Sequence, residues 1–100
     1  MKTTIQEQDG KMVAFFEGRL DTVAAPETAV ACEPLFECRN KDIIIDCTKL
    51  EFISSSGLRV LIDVLKFTKP RGCQVFLRGV SDDIHEVLEM TGFIKFFEYL

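Results

Sequence analysis

Residues 43–61 read IIIDCTKLEFISSSGLRVL. With Asp42 in front, the β-branched run from Asp42 to Cys47 is bounded by charge. It predicts a central strand buried on both faces. Thr48 to Ile53 leads out of it into three consecutive serines and Gly57. An apolar run follows, with Leu58, Leu61, Ile62 and Leu65 at i, i+3, i+4 and i+7. That spacing is one stripe of an amphipathic helix. The helix is expected from about Ser56 to Thr68, ended by Pro70 and Gly72. One serine suffices to cap it. The question is what the other two hydroxyls are for.

Outward from this strand and helix, the same pattern repeats. Cys73 to Leu77 predicts another strand. Ser81 or Asp82 can cap a further helix running through Glu89 or Met90, with Gly92 as its stop. Ile94 to Leu100 predicts a final short strand. On the N-terminal side, Thr3 to Gln8 alternates weakly, residues 9–11 (DGK) signal a turn, and Lys11 to Glu17 predicts a second strand. Together they make an opening β-hairpin. GRLD at 18–21 leaves the sheet. Pro26 suits the first turn of a helix. Pro34 lacks a backbone donor and clashes with the preceding turn, so that helix should stop or kink near Glu33. The order β-β-α-β-α-β-α-β predicts an α/β fold in one domain over residues 1–100. It is a mixed sheet with helices on one or both faces, joined by right-handed crossovers.

The chain has 100 residues, 47% hydrophobic and 28% charged, which is enough for a modest single core. Its formal net charge of −4 argues against non-specific nucleic-acid binding, which needs a basic footprint. No apolar stretch reaches the roughly 20 residues of a membrane span. MKTTIQEQDGK at the start lacks the apolar core of a signal peptide. The expectation is a cytoplasmic monomer with no direct membrane insertion. Cys32, Cys38, Cys47 and Cys73 form no C-x-x-C pair and His85 is the single histidine, so no metal site is expected. The thiols are expected to be small buried residues rather than disulfides.

On the helix after the serines, Arg59, Asp63 and Lys66 cluster on a second side. Arg59 and Asp63 are placed to pair across one turn, worth a few tenths of a kcal/mol. Val60, Val64 and Phe67 fall on a third face. That face is either covered by another element or an apolar strip that receives a partner. Any of Ser54, Ser55 and Ser56 can accept a bond from an unpaired helix N–H. None has Glu or Gln three residues later, so the reciprocal capping box is missing. The helix N-terminus carries about half a positive charge, so a phosphate there would be tolerated. Gly57 leaves room beside it. Such a phosphate adds about −1.5 to −2 charges that an apposed partner would feel.

The segment IIIDCTKLEFISSSGLRVL resembles the signature of STAS domains, the family of bacterial anti-sigma factor antagonists. GRLD at 18–21 is similar to the family's G-x-L-D after the second strand. MTGFIKFF at 90–97 is similar to its T/S-G-L/F segment before the last strand. The resemblance covers nearly the whole chain in order. It implies partner switching: the unphosphorylated protein binds an anti-sigma factor that is also a serine kinase, phosphorylation releases it, and a metal-dependent serine phosphatase restores the first form. The family's acceptor stands two residues before the glycine, which is Ser55 here, with Ser54 and Ser56 as alternatives. The family often has Asp before the acceptor, where this chain has Ser54. Taken with the helix faces described above, the expected partner surface comprises Asp21, Ser54, Ser56, Gly57, Arg59, Val60, Asp63, Val64 and Phe67. Asp21 and Asp46 match family carboxylates near that surface; their plainer role is turn or strand-end capping. Many members carry a further helix after the last strand, which is short or absent before Leu100.

The alternative within the same fold is a non-switching module associated with a membrane transporter of lipid-export or anion-transport type. An intact S-S-G favours the switching form. An enzyme is not expected. SSSG is not the G-x-S-x-G of a nucleophile elbow. His85, among Asp82, Asp83 and Glu86, reads as part of a solvated polar face. No cofactor is implied.

Overall fold

The computed structural model describes residues 1–100. An antiparallel hairpin opens it, β1 (Lys2–Gln8) and β2 (Lys11–Leu20). The turn between them places Asp9 at φ 53° and Gly10 at φ 79°, the left-handed pair that matches the twist of a tight hairpin. Two short helices follow, α1 (Ala25–Ala31) and α2 (Glu33–Phe36). The break falls just before Pro34, where the sequence predicts a stop. Strand β3 (Asp42–Ile53) leads to α3 (Ser55–Thr68), β4 (Gln74–Arg78), α4 (Asp82–Thr91) and a two-residue β5 (Glu98–Tyr99). The observed order is the expected one with its first helix split in two.

The five strands lie in the order β1-β2-β3-β4-β5, and every pair after the hairpin is parallel. Right-handed crossovers that all step in one direction put all the helices on one face. Strand alternation agrees. Ala14 and Phe16 of β2, Ile43, Ile45 and Cys47 of β3, and Val75 and Leu77 of β4 join one core cluster with residues of the helices. Val13 and Ile44 are equally buried but stand outside that cluster, on the opposite face. There Ile44 is flanked in register by Val13 and Phe76. The expected burial on both faces therefore holds only in part: Ile43, Ile45 and Cys47 are covered on the helix side, while on the other face Ile44 is buried but Asp42 and Asp46 are half-buried and Thr48 is exposed.

Three expectations need correction. GRLD at 18–21 does not leave the sheet as a whole: β2 runs past Glu17 to Leu20, with Gly18, Arg19 and Leu20 paired to β3, and only Asp21 departs. Strand β3 does not end at Cys47 but continues to Ile53, because Glu17 to Leu20 of β2 pair with Lys49 to Ile53. Of the segment expected as a strand from Ile94 to Leu100, only Glu98–Tyr99 is strand, and its first three residues belong to a 3-10 turn, Phe93–Phe96. Gly92 ends α4 at φ 78°, and Phe97 turns inward to the core beside it. All four cysteines are free, three of them buried. Burial pushes the Cys32 thiol up to about 12, which makes it a packing group rather than a nucleophile. No helix is long and apolar enough to cross a membrane.

Candidate functional site

The extension of β3 sets the site. In register, Ile53 lies beside Leu20, so β2 and β3 leave the sheet together. The Ser54 N–H donates to the Leu20 carbonyl at 2.9 Å. On the other side, Asp21 opens α1: its Oδ1 accepts the Ala24 N–H at 2.9 Å and its carbonyl accepts the Ala25 N–H at 3.0 Å. Two strand ends are thus fastened where two helices begin.

The three serines divide the work. Ser54 is extended at φ −92° and ψ 175°, and its Oγ accepts the Gly57 N–H at 3.2 Å. Its carbonyl accepts the Leu58 N–H at 2.9 Å. Ser54 is the cap. Ser55 is the first helical residue and is exposed, and no hydrogen bond engages its hydroxyl. Ser56 is half-buried. Ser54→Ala should therefore cost about 1 kcal/mol of stability, and Ser55→Ala a few tenths at most. Denaturant melts of the two variants check this. Equal losses would contradict the division.

Gly57 is buried rather than open to a partner. A Cβ there would lie 2.7 Å from the Leu20 carbonyl oxygen and 2.7 Å from Leu20 Cγ. The glycine lets the start of α3 press onto the strand ends; it does not make room for a ligand.

Ser55 forms a ridge between two clefts. One, of about 480 Å³, lies toward α1 and is lined by Thr22, Pro26, Ala29, Ser56, Arg59 and Asp63 among others. The second, of about 420 Å³, lies toward the end of α4, with Arg59, Asp63, Lys66, Thr91 and Phe93. Arg59 and Asp63 border both. The ion pair expected between them is not formed. Thr22, Pro26, Thr91 and Phe93 come from distant segments that only the topology brings here; the T-G-F at 91–93 is a recognisable motif, but nothing local places it beside the serines.

The expected apolar strip is not a surface strip. Val60 is 5% exposed and Val64 is 0% exposed, and both belong to the core. Helices α1 and α2 pack on that side of α3 and cover it. Periodicity shows an apolar face but not which neighbour lies on it. Phe67 alone stays open, at 49%, with its ring 5.0 Å from that of Phe36. It lies three turns from Ser55, about 18 Å along the helix. Asp21 lines a separate recess with Arg19, Val23, Glu27 and Glu51, and its carboxylate is occupied as a turn cap. Ser55, Ser56, Arg59 and Asp63 are therefore gathered, while Asp21 and Phe67 stand apart.

Asp46 is also elsewhere. It is in the same alternation phase as Ile44, on the sheet face away from the helices. There it accepts Arg78 Nε–H at 2.8 Å and the Thr48 N–H at 2.9 Å. Arg78 also lies 5.9 Å from the Phe15 ring centre. Burial by itself would raise the Asp46 carboxyl, but the bonds from Thr48 and Arg78 outweigh it and hold it below the ordinary 3.8. A carboxyl depressed on folding contributes stability above its unfolded value, and that contribution is lost as pH falls through the folded one. Asp46→Asn should flatten the acid limb of the stability curve below about pH 4. Denaturant midpoints measured across the acid range test this, and an unchanged limb would contradict it.

A family model described as STAS domain matches residues 2–99. The anti-sigma-B factor antagonist of Staphylococcus aureus is 27% identical over 96 residues, which span 92% of this chain and 83% of that protein. The crystal structure of an anti-sigma factor antagonist from Mycobacterium paratuberculosis superposes with a TM-score of 0.81 at 27% identity, covering 98% of this chain and 83% of that one. The Bacillus cell fate determinant SpoIIAA in its phosphorylated form has the same fold, with a TM-score of 0.73 at 17% identity over 99% of this chain and 91% of that one.

Proposed function

Because the chain belongs to the STAS domain family of anti-sigma factor antagonists, we propose that it is a phosphorylation-controlled binding module whose acceptor is Ser55. Unmodified, it binds an anti-sigma factor that is also a serine kinase. Phosphate transferred from ATP to Ser55 releases it, and a metal-dependent serine phosphatase resets it. The chain is then the substrate of a kinase rather than a catalyst, and acts in the cytoplasm.

One observation carries this reading. Ser54 satisfies the helix, so the Ser55 hydroxyl is exposed and unused, on a ridge between two clefts. A constitutive transporter-associated module has no need of that free hydroxyl. The missing aspartate of the family turn supports the same division: Ser54 takes over the capping role that an Asp performs equally well. Phosphorylation would place its charge where a partner seated over the ridge must desolvate it.

The test uses the unmodified full chain immobilised as bait in extract of its native cell. After washing, magnesium and ATP are added. Wild-type bait should release a serine kinase, while Ser55→Ala bait should keep it through the same wash. Retention of the kinase by both baits, or release from both, contradicts Ser55 as the switch.

A further inference from the structure

We infer that Arg59 holds the Ser55 phosphate, so that modification withdraws a cation from the partner-facing ridge as well as adding an anion. This rests on Ser55 being the acceptor. Ser55 and Arg59 are four residues apart in α3, and so are neighbours on one helix face. Helical side chains lean toward the N-terminus, which brings the long Arg59 side chain back toward Ser55. Both residues border the same two clefts. Arg59 is exposed and forms no ion pair.

The charge order is also the favourable one. An anion at i with a cation at i+4 is the stabilising orientation on a helix. A guanidinium matches phosphate oxygens with two parallel bonds. The other charged groups lining these clefts are Asp63 and Lys66. Lys66 is three turns from Ser55, about 16 Å along the axis, and is out of reach. Asp63 is one turn beyond Arg59 and competes for it with a single charge. The phosphate brings about −1.5 to −2 and wins that competition.

Before modification, the Ser55–Arg59 face presents a free positive charge. Afterwards the phosphate and guanidinium together carry about −0.5 to −1. A partner carboxylate that met Arg59 then meets a neutralised guanidinium with phosphate beside it. Arg59 is a positioning residue of the switch in this sense.

The experiment installs phosphoserine at position 55 during synthesis of the full chain, with no kinase involved. The phosphate is titrated by phosphorus-31 NMR in the parent and in Arg59→Gln, an exposed position where folding is not at risk. The second phosphate ionisation should come about 0.4 lower in the parent than in the variant, with Arg59→Lys between them. The Arg59 side-chain Nε–H signal should also move between unmodified and phosphorylated protein. Coinciding titration curves, or an Arg59 signal that does not move, overturn the assignment. Because the phosphate is supplied in synthesis, such a result counts against Arg59 alone. Whether Ser55 is the natural acceptor is read independently, by mapping the phosphate on protein from cells.

Discussion

Phosphorylation of Ser55 should weaken the complex with the anti-sigma factor about 30- to 150-fold. That range corresponds to about 2 to 3 kcal/mol at 1.4 kcal/mol per decade. The source is not unfolding of the antagonist. Ser54 already caps α3, and a phosphate on the first helical residue favours the helix's positive end. The loss arises across the contact, where a doubly charged group must be desolvated and repels any partner carboxylate. Ser55→Asp carries one charge in place of two and should weaken binding less than the phosphate does. Ser55→Ala should bind as the unmodified protein does and never let go. Calorimetric titration of the kinase recovered in the ATP-release experiment measures all three. Equal affinity of the phosphorylated and unmodified forms would contradict an electrostatic switch at this position.

The second large effect is on the frame that holds the serine turn. Gly57→Ala should destabilise the protein by about 2 kcal/mol. In an isolated helix the change would help, by roughly 1 kcal/mol. Here the new Cβ would lie 2.7 Å from both Cγ and the carbonyl oxygen of Leu20, and 2.9 Å from Ile53 Cγ1. That carbonyl already accepts the Ser54 N–H, so it cannot yield without loosening the serine turn. The thermal midpoint should fall by about 10 °C for a domain of this size. Binding should weaken as well, since Ser55 rides on the displaced helix start. A midpoint that is unchanged or raised would show that the close approach of α3 to the strand ends is not what Gly57 is for.

The contrast between Gly57 and its neighbours shows what local sequence can and cannot reveal. The strand-turn-helix over 42–68 is legible because β-branched residues, serines and the i, i+3, i+4, i+7 stripe each point to one element. The break ahead of Pro34 follows from its missing donor and its clash with the preceding turn. Ser81 as a cap is equally local, and its Oγ does accept the Ile84 N–H at 3.2 Å. What local pattern misses depends on neighbours far away in sequence. Strand β3 runs on to Ile53 because β2 is there to pair with it. Val60 and Val64 are core because α1 and α2 lie over them, while Phe67, on the same stripe, sits where that cover thins. Asp46 carries no mark of which sheet face it occupies until the phase of Ile44 is known. The site was legible in part for the same reason. Ser55, Ser56, Arg59 and Asp63 share one helix, whereas Thr22, Thr91 and Phe93 reach them only through the fold.

The central claim is that Ser55, and not the capping Ser54, carries a regulatory phosphate. Peptide mass spectrometry of the protein recovered from its native cell, growing and starved, tests it most directly. The predicted result is one phosphate on the peptide spanning residues 54–56, located on Ser55, with an occupancy that changes with condition. A serine cluster that gains no phosphate in either condition, or a phosphate fixed on Ser54, would contradict the account.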